Sequence, residues 1–89
     1  MHTEPKCGDV VKCSRGRDDG FFAVMKTEGR FCYIADGARR KTENPKKKNG
    51  RHVEIAGRLP EEIASRIAAG GRVGNARLKK LLKVFEKQE

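Results

Sequence analysis

Between Val10 and Ala56 the apolar residues come in runs of no more than five, and a glycine stands in every gap longer than one residue. Runs that short, punctuated that way, read as brief β-strands. Gly8-Asp9 opens the first, in which Val11 and Cys13 face one way and Lys12 and Ser14 the other. Ser14-Arg-Gly-Arg-Asp-Asp-Gly20 is turn chemistry: Gly16 and Gly20 tolerate positive φ, and Asp18 and Asp19 can accept from nearby backbone N–H groups. Phe21 to Met25 is a second strand of high β propensity, with Phe22 and Val24 on its core side. Thr27 to Arg30 is the next turn, with Gly29 at its positive-φ position, and Phe31 to Ala35 is the third strand. His52 to Ala56 is the fourth, placing Val53 and Ile55 on one face and His52 and Glu54 on the other. Four or five such strands predict a small barrel, and closure would also remove exposed sheet edges.

After Gly57 the period changes. Pro60 suits a first helical position, and Glu61 and Glu62 favour the positive end of a helix dipole. Ile63 and Ile67 lie four apart, and Gly70-Gly71 stops this helix. Asn75 is placed to cap a second helix, in which Leu78, Leu81, Leu82 and Phe85 form one apolar stripe. That stripe is expected to pack inward. The expected architecture is mainly β: a flexible segment over residues 1–7, a barrel over 8–57 and a helical extension with two short C-terminal helices over 58–89.

Charge is concentrated between the third and fourth strands. Gly37 to His52 carries seven basic side chains (Arg39, Arg40, Lys41, Lys46, Lys47, Lys48 and Arg51) against Glu43, a net +6 of the chain's formal +9. Pro45, Asn44, Asn49 and Gly50 break helix, so the charge is expected on a loop held at both ends. One sign gathered on one loop makes a local field that a polyanion can use. A pI of 9.9 and 37% charged residues point the same way, to nucleic acid or an anionic surface. No apolar run approaches the ~20 residues that span a bilayer, and the segment Met1 to Asp9 lacks the apolar stretch of a secretory signal. A cytoplasmic protein without a membrane partner, and a monomer, is expected.

Cys7, Cys13 and Cys32 suit that compartment. Cys13 and Cys32 are expected as small buried apolar residues and Cys7 as a free thiol. Neither His2 nor His52 stands at metal-ligand spacing from a cysteine, so no metal or other cofactor is expected. No serine or thiol is set beside a histidine base, Glu61-Glu62 reads as a helix start, and no Walker pattern occurs. Catalysis is not expected.

Gly8-Asp-Val-Val-Lys-Cys-Ser-Arg-Gly-Arg-Asp-Asp-Gly20 resembles a KOW motif: Gly-Asp at a strand start, alternating apolar positions, then a glycine turn. Ile34-Ala-Asp-Gly37 and Asn44-Pro-Lys-Lys-Lys48 narrow the resemblance to the small bacterial KOW-domain RNA-binding proteins, relatives of a large-subunit ribosomal protein family of archaea and eukaryotes. It covers about Gly8 to Ala56. The tail, with Pro60-Glu-Glu and Asn75-Ala-Arg-Leu-Lys-Lys80, is similar to that family's C-terminal extension. The resemblance implies an SH3-like β-barrel that binds RNA, often in a translation or ribosomal setting. Ribosomal RNA of the large subunit is then the expected partner. Phe21 departs from the pattern, standing after Gly20 where a polar or basic residue is expected, and packing is the expected role for it.

The expected mechanism is electrostatic capture of a folded RNA by two loops. One supplies Arg15, Gly16 and Arg17, with Lys12 beside it. The other supplies Arg39, Arg40, Lys41, Lys46, Lys47, Lys48, Arg51 and His52. Arginine grips phosphate bidentately, lysine acts as a point charge, and backbone N–H groups at Gly16 can approach phosphate closely. With Tyr33 the only tyrosine and tryptophan absent, RNA shape is the expected object of recognition rather than a base sequence. The alternatives are a protein-interaction module, which an apolar patch at Phe21 or along the Leu78 stripe would favour, and non-specific DNA binding.

Overall fold

Asp9 begins the first strand with its carboxylate already engaged. Its Oδ2 accepts the Lys6 N–H at 2.8 Å, and its Oδ1 accepts from Arg58 Nη1 at 3.0 Å, tying the first strand to the last. The computed structural model describes residues 4–13 and 20–87. The elements are β1 (Asp9–Cys13), β2 (Phe21–Glu28), β3 (Phe31–Ala35), β4 (Lys46–Asn49), a 3₁₀ turn (Gly50–His52), β5 (Val53–Arg58), α1 (Glu61–Ala68) and α2 (Asn75–Lys87). The strands form one antiparallel sheet in the order β4-β3-β2-β1-β5.

That order forces curvature. β4 and β5 lie at opposite edges, yet only Gly50, Arg51 and His52 separate them in the chain. Four inter-strand spacings in a flat sheet would put the edges ~19 Å apart, and the four Cα steps from Asn49 to Val53 reach ~14 Å at full stretch. The sheet therefore curls until its edges approach at this corner. Bulges at Ala56 in β5, opposite Val10/Val11, and at Met25 in β2 supply the bend. The ladder nevertheless ends at β4 and β5, so the expected closed barrel is an open, curled sheet. β4 gives its four residues to pairing with β3, and the 3₁₀ turn then redirects the chain instead of running it beside β5.

Both faces of the sheet are buried at its centre. The inner face gathers Val11, Phe22, Val24, Cys32, Ile34 and Val53. Phe22 and Val24 thus hold the core positions expected of them. The outer face gathers Val10, Phe21, Ala23 and Ala35, covered by Leu59, Ile63, Ile67, Val73, Leu78 and Leu82. Phe21 is 7% exposed and packs 5.9 Å from the Phe85 ring, so it belongs to this helix-covered layer. The α2 stripe faces inward as its spacing predicts, with Leu78 and Leu82 buried and Leu81 and Phe85 packed beside them.

Two glycines hold positive φ at junctions of the fold. Gly29 (φ +60°) and Arg30 make the whole β2–β3 turn, because β2 runs on to Glu28 rather than ending near Met25. Gly8 (φ +89°) donates to Val24 O at 2.9 Å and accepts from Leu59 N–H at 2.9 Å, and a Cβ there would collide with Ala64 of α1. It is the point where β1, β2 and α1 meet. Other boundaries shift by a residue or two: β5 reaches Arg58, Pro60 sits just before α1, and Asn75 is the first residue of α2.

Candidate nucleic-acid interface

The basic segment is two structures, not one loop. Its first half is a pinned turn. Asp36 Oδ1 accepts the N–H groups of Ala38 and Arg40, each at 2.9 Å, while the N–H groups of Asp36 and Gly37 donate to Arg40 O at 3.0 and 3.1 Å. Arg39 is exposed on this turn and Arg40 half-buried. Lys41 is exposed and its carbonyl accepts the Asn44 N–H at 3.0 Å. Asn75 then ties the segment to α2: its Oδ1 accepts the Thr42 N–H at 2.8 Å, and its side-chain N–H donates to Glu43. The lone acid of the basic segment is thus spent on docking it to the helix.

The second half is β4 itself, which corrects the expectation of a loop through Lys46, Lys47 and Lys48. Lys46 lies opposite Ile34, Lys47 opposite Tyr33, and Lys48 opposite Cys32. Since paired residues share a face, Lys46 and Lys48 lean to the inner side, half-buried, and Lys47 stands exposed on the outer side. The run of three lysines is split between two surfaces. Arg51 and His52 follow, exposed on the 3₁₀ turn, where the Arg51 N–H donates to Asn49 Oδ1 at 3.0 Å.

The structure therefore sorts the expected residues into two places. Lys12 is half-buried at the far end of the sheet, its Nζ 5.3 Å from the Phe21 ring. The Asp36–Arg40 turn is at that end too, since Asp36 and Ala38 share a shallow cleft with Gly20, Phe21, Lys79 and Lys83. Lys47 and Arg51 belong to the other end. Along β2 the separation between the Phe21 and Lys26 levels is ~17 Å. Arg15, Gly16 and Arg17 lie outside the described residues.

Sequence reasoning missed part of the second place. The β2 bulge gives two residues, Met25 and Lys26, to one step of β3, since Val24 pairs with Ile34 and Lys26 with Tyr33. Simple alternation would put Lys26 on the same side as Val24. The bulge instead turns it to the outer face beside Tyr33, with its Nζ 5.7 Å from the ring centroid and 3.8 Å from Glu28. Lys47 Nζ lies 4.4 Å from the Phe31 centroid. Arg30 and Arg51 flank the same end, where Arg30 O accepts the Gly50 N–H at 2.8 Å and both arginines line one small cleft with Glu4. Reading Lys46 to Asn49 as a strand would have revealed the Lys47–Tyr33 pairing; the bulge has no sequence signal of its own.

Arg58 is a structural cation. It bonds Asp9 and the Cys7 carbonyl and lies 3.4 Å from Glu61, and the Asp9 hydrogen bond leads in raising its pKa. Cys32 is buried, and that burial first, then the neighbouring Cys13, pushes its thiol pKa up. Cys7 and Cys13 are half-buried. Among the described residues no group of three His, Cys, Asp or Glu side chains is placed to hold a metal ion, and no helix is long and apolar enough to cross a membrane.

A scan against protein-family models finds none that matches the chain, and a search of curated proteins finds no relative.

Proposed function

We propose that this protein binds structured RNA in a translation or ribosomal setting, with large-subunit ribosomal RNA as its partner. The observation that carries this reading is the set of exposed cations Arg39, Lys41, Lys47 and Arg51, each held on a segment whose backbone is pinned by named hydrogen bonds or strand pairing. Cations on fixed segments meet phosphates without first ordering a loop, so less of the electrostatic gain is lost to entropy. The KOW resemblance supports the same reading, and the curled five-stranded antiparallel sheet, though not closed, is in keeping with it. The protein acts in the cytoplasm as a monomer, and no catalytic step is assigned to it.

Sedimentation through sucrose gradients with ribosomes from its own cells, at low and moderate salt, tests this reading. Co-migration with the large subunit that survives moderate salt is expected. Protein left at the top of the gradient at both salts rejects the ribosome. Matched titrations with RNA and DNA hairpins of one sequence separate RNA recognition from non-specific binding, which would take both equally.

A further inference from the structure

Phe31 and Tyr33 belong to neither buried cluster. Both are half-buried, and both are on the outer face of β3, two residues apart and so ~7 Å from each other along the strand. The helices cover the outer face around Ala23 and Ala35 but leave this end to the two rings. An aromatic pair left half in water on one strand forgoes burial that the same fold gives to Phe21 and Phe22. Lys26 and Lys47 stand over the rings, with Glu28 beside Lys26, and at the same end of the sheet Arg30 and Arg51 line a cleft with Glu4.

We propose that Phe31 and Tyr33 form a stacking platform for unpaired bases of the RNA, with Lys26 and Lys47 taking the flanking phosphates. This rests on the RNA-binding reading above and deepens it: one end of the molecule engages backbone and shape, and this end requires a loop or bulge. The chemistry suits the arrangement. Every base has a π-face, so stacking is tolerant of sequence, and the positive surround selects a polyanionic chain over an isolated aromatic. In the free protein the ammonium groups of Lys47 and Lys26 rest near the rings. Phosphates draw those flexible lysines outward, and the bases take the ring faces they leave.

Tyr33 is the only tyrosine in a chain without tryptophan, so its emission reports on this platform alone. The full chain is titrated with a ten-nucleotide single-stranded oligoadenylate and with a blunt ten-base-pair RNA duplex, following tyrosine emission and the anisotropy of end-labelled RNA. The single strand is expected to quench Tyr33, and the duplex to bind without quenching. The F31L/Y33L variant keeps apolar bulk and is expected to lose roughly 10- to 100-fold in single-strand affinity while holding duplex affinity within about twofold. Single-strand binding that leaves wild-type Tyr33 emission unchanged overturns the platform while the RNA reading stands. If F31L/Y33L fails to fold, the wild-type emission still decides the matter. If neither RNA binds at low salt, the RNA reading fails and the platform with it.

Discussion

Lys47 is paired with Tyr33, but its ammonium lies over the ring of Phe31, 4.4 Å from the centroid. The side chain crosses diagonally from its own register position to the next residue on the same face. A cation–π contact at an exposed site is worth about 0.5–1 kcal/mol. That is enough to bias the lysine toward the ring and too little to hold it there against a phosphate.

Lys47 and Arg51 are therefore expected to act together at one end of the interface. If roughly six phosphates are neutralised, log K falls with log salt at a slope of about −4 to −5. The K47E/R51E variant is expected to bind a structured RNA at least about tenfold more weakly, with the slope shallower by about 2. Filter binding over a salt series checks this, with circular dichroism as the control for folding. An unaltered slope removes both residues from the interface.

The pinned turn gives a separate prediction. Asn75→Ala removes the acceptor for the Thr42 N–H and the donor to Glu43, both at the junction of the basic segment with α2. A stability loss of about 1 kcal/mol is expected from the lost hydrogen bonding, with a few-fold loss of RNA affinity as Arg39 and Lys41 become less ordered. Urea denaturation and RNA titration on one preparation check the pair. Lost stability with unchanged affinity would show that the order of this turn does not matter to binding.

Gly8→Ala sets a methyl group against Ala64 on a backbone held at φ +89°. Strain and overpacking combine at one position, and a loss of about 2–4 kcal/mol is expected. Gly8 bridges β2 and Leu59, so the loss should appear as one cooperative transition at a lower midpoint. Two separated transitions would show that the helices unfold independently of the sheet.

Cys32 gives a prediction in pH. Its folded-state thiol pKa is raised, so the native state holds a proton that the unfolded chain releases. Stability is undiminished below the ordinary thiol range and falls as pH rises through it toward the raised value. Cys32→Val is expected to flatten this part of the pH–stability curve, read by urea midpoints. In native protein Cys32 should react with a thiol reagent more slowly than Cys7 or Cys13. Equal rates would show that the inner core opens readily.

Much of the architecture is legible in the residues themselves. Phe22, Val24, Leu78 and Leu82 sit where their periodicity puts them, because short alternating runs and a helical stripe each have one way to bury their apolar side. β4 was not legible, since three lysines and an asparagine carry no apolar alternation. Its strand character comes from the β3 backbone alongside it. Phe21 shows a second limit. It packs as expected, but its partner is Phe85, which α2 brings against it from the far end of the sequence. The interface was legible as charge but not as geometry. Alternation predicts the wrong face for Lys26, and only the bulge at Met25 sets it beside Tyr33.

Among the described strands β4 stands at one edge of the sheet, and its composition bears on what can approach it. A second copy adding its own β4 there would align lysine with lysine, and that repulsion keeps the edges of neighbouring molecules apart. Bound phosphate would remove the repulsion, and so would acetylation or mutation of these lysines. On the proposed RNA-binding reading the same lysines would serve both ends, and variants stripped of β4 charge are expected to self-associate as their affinity for RNA falls.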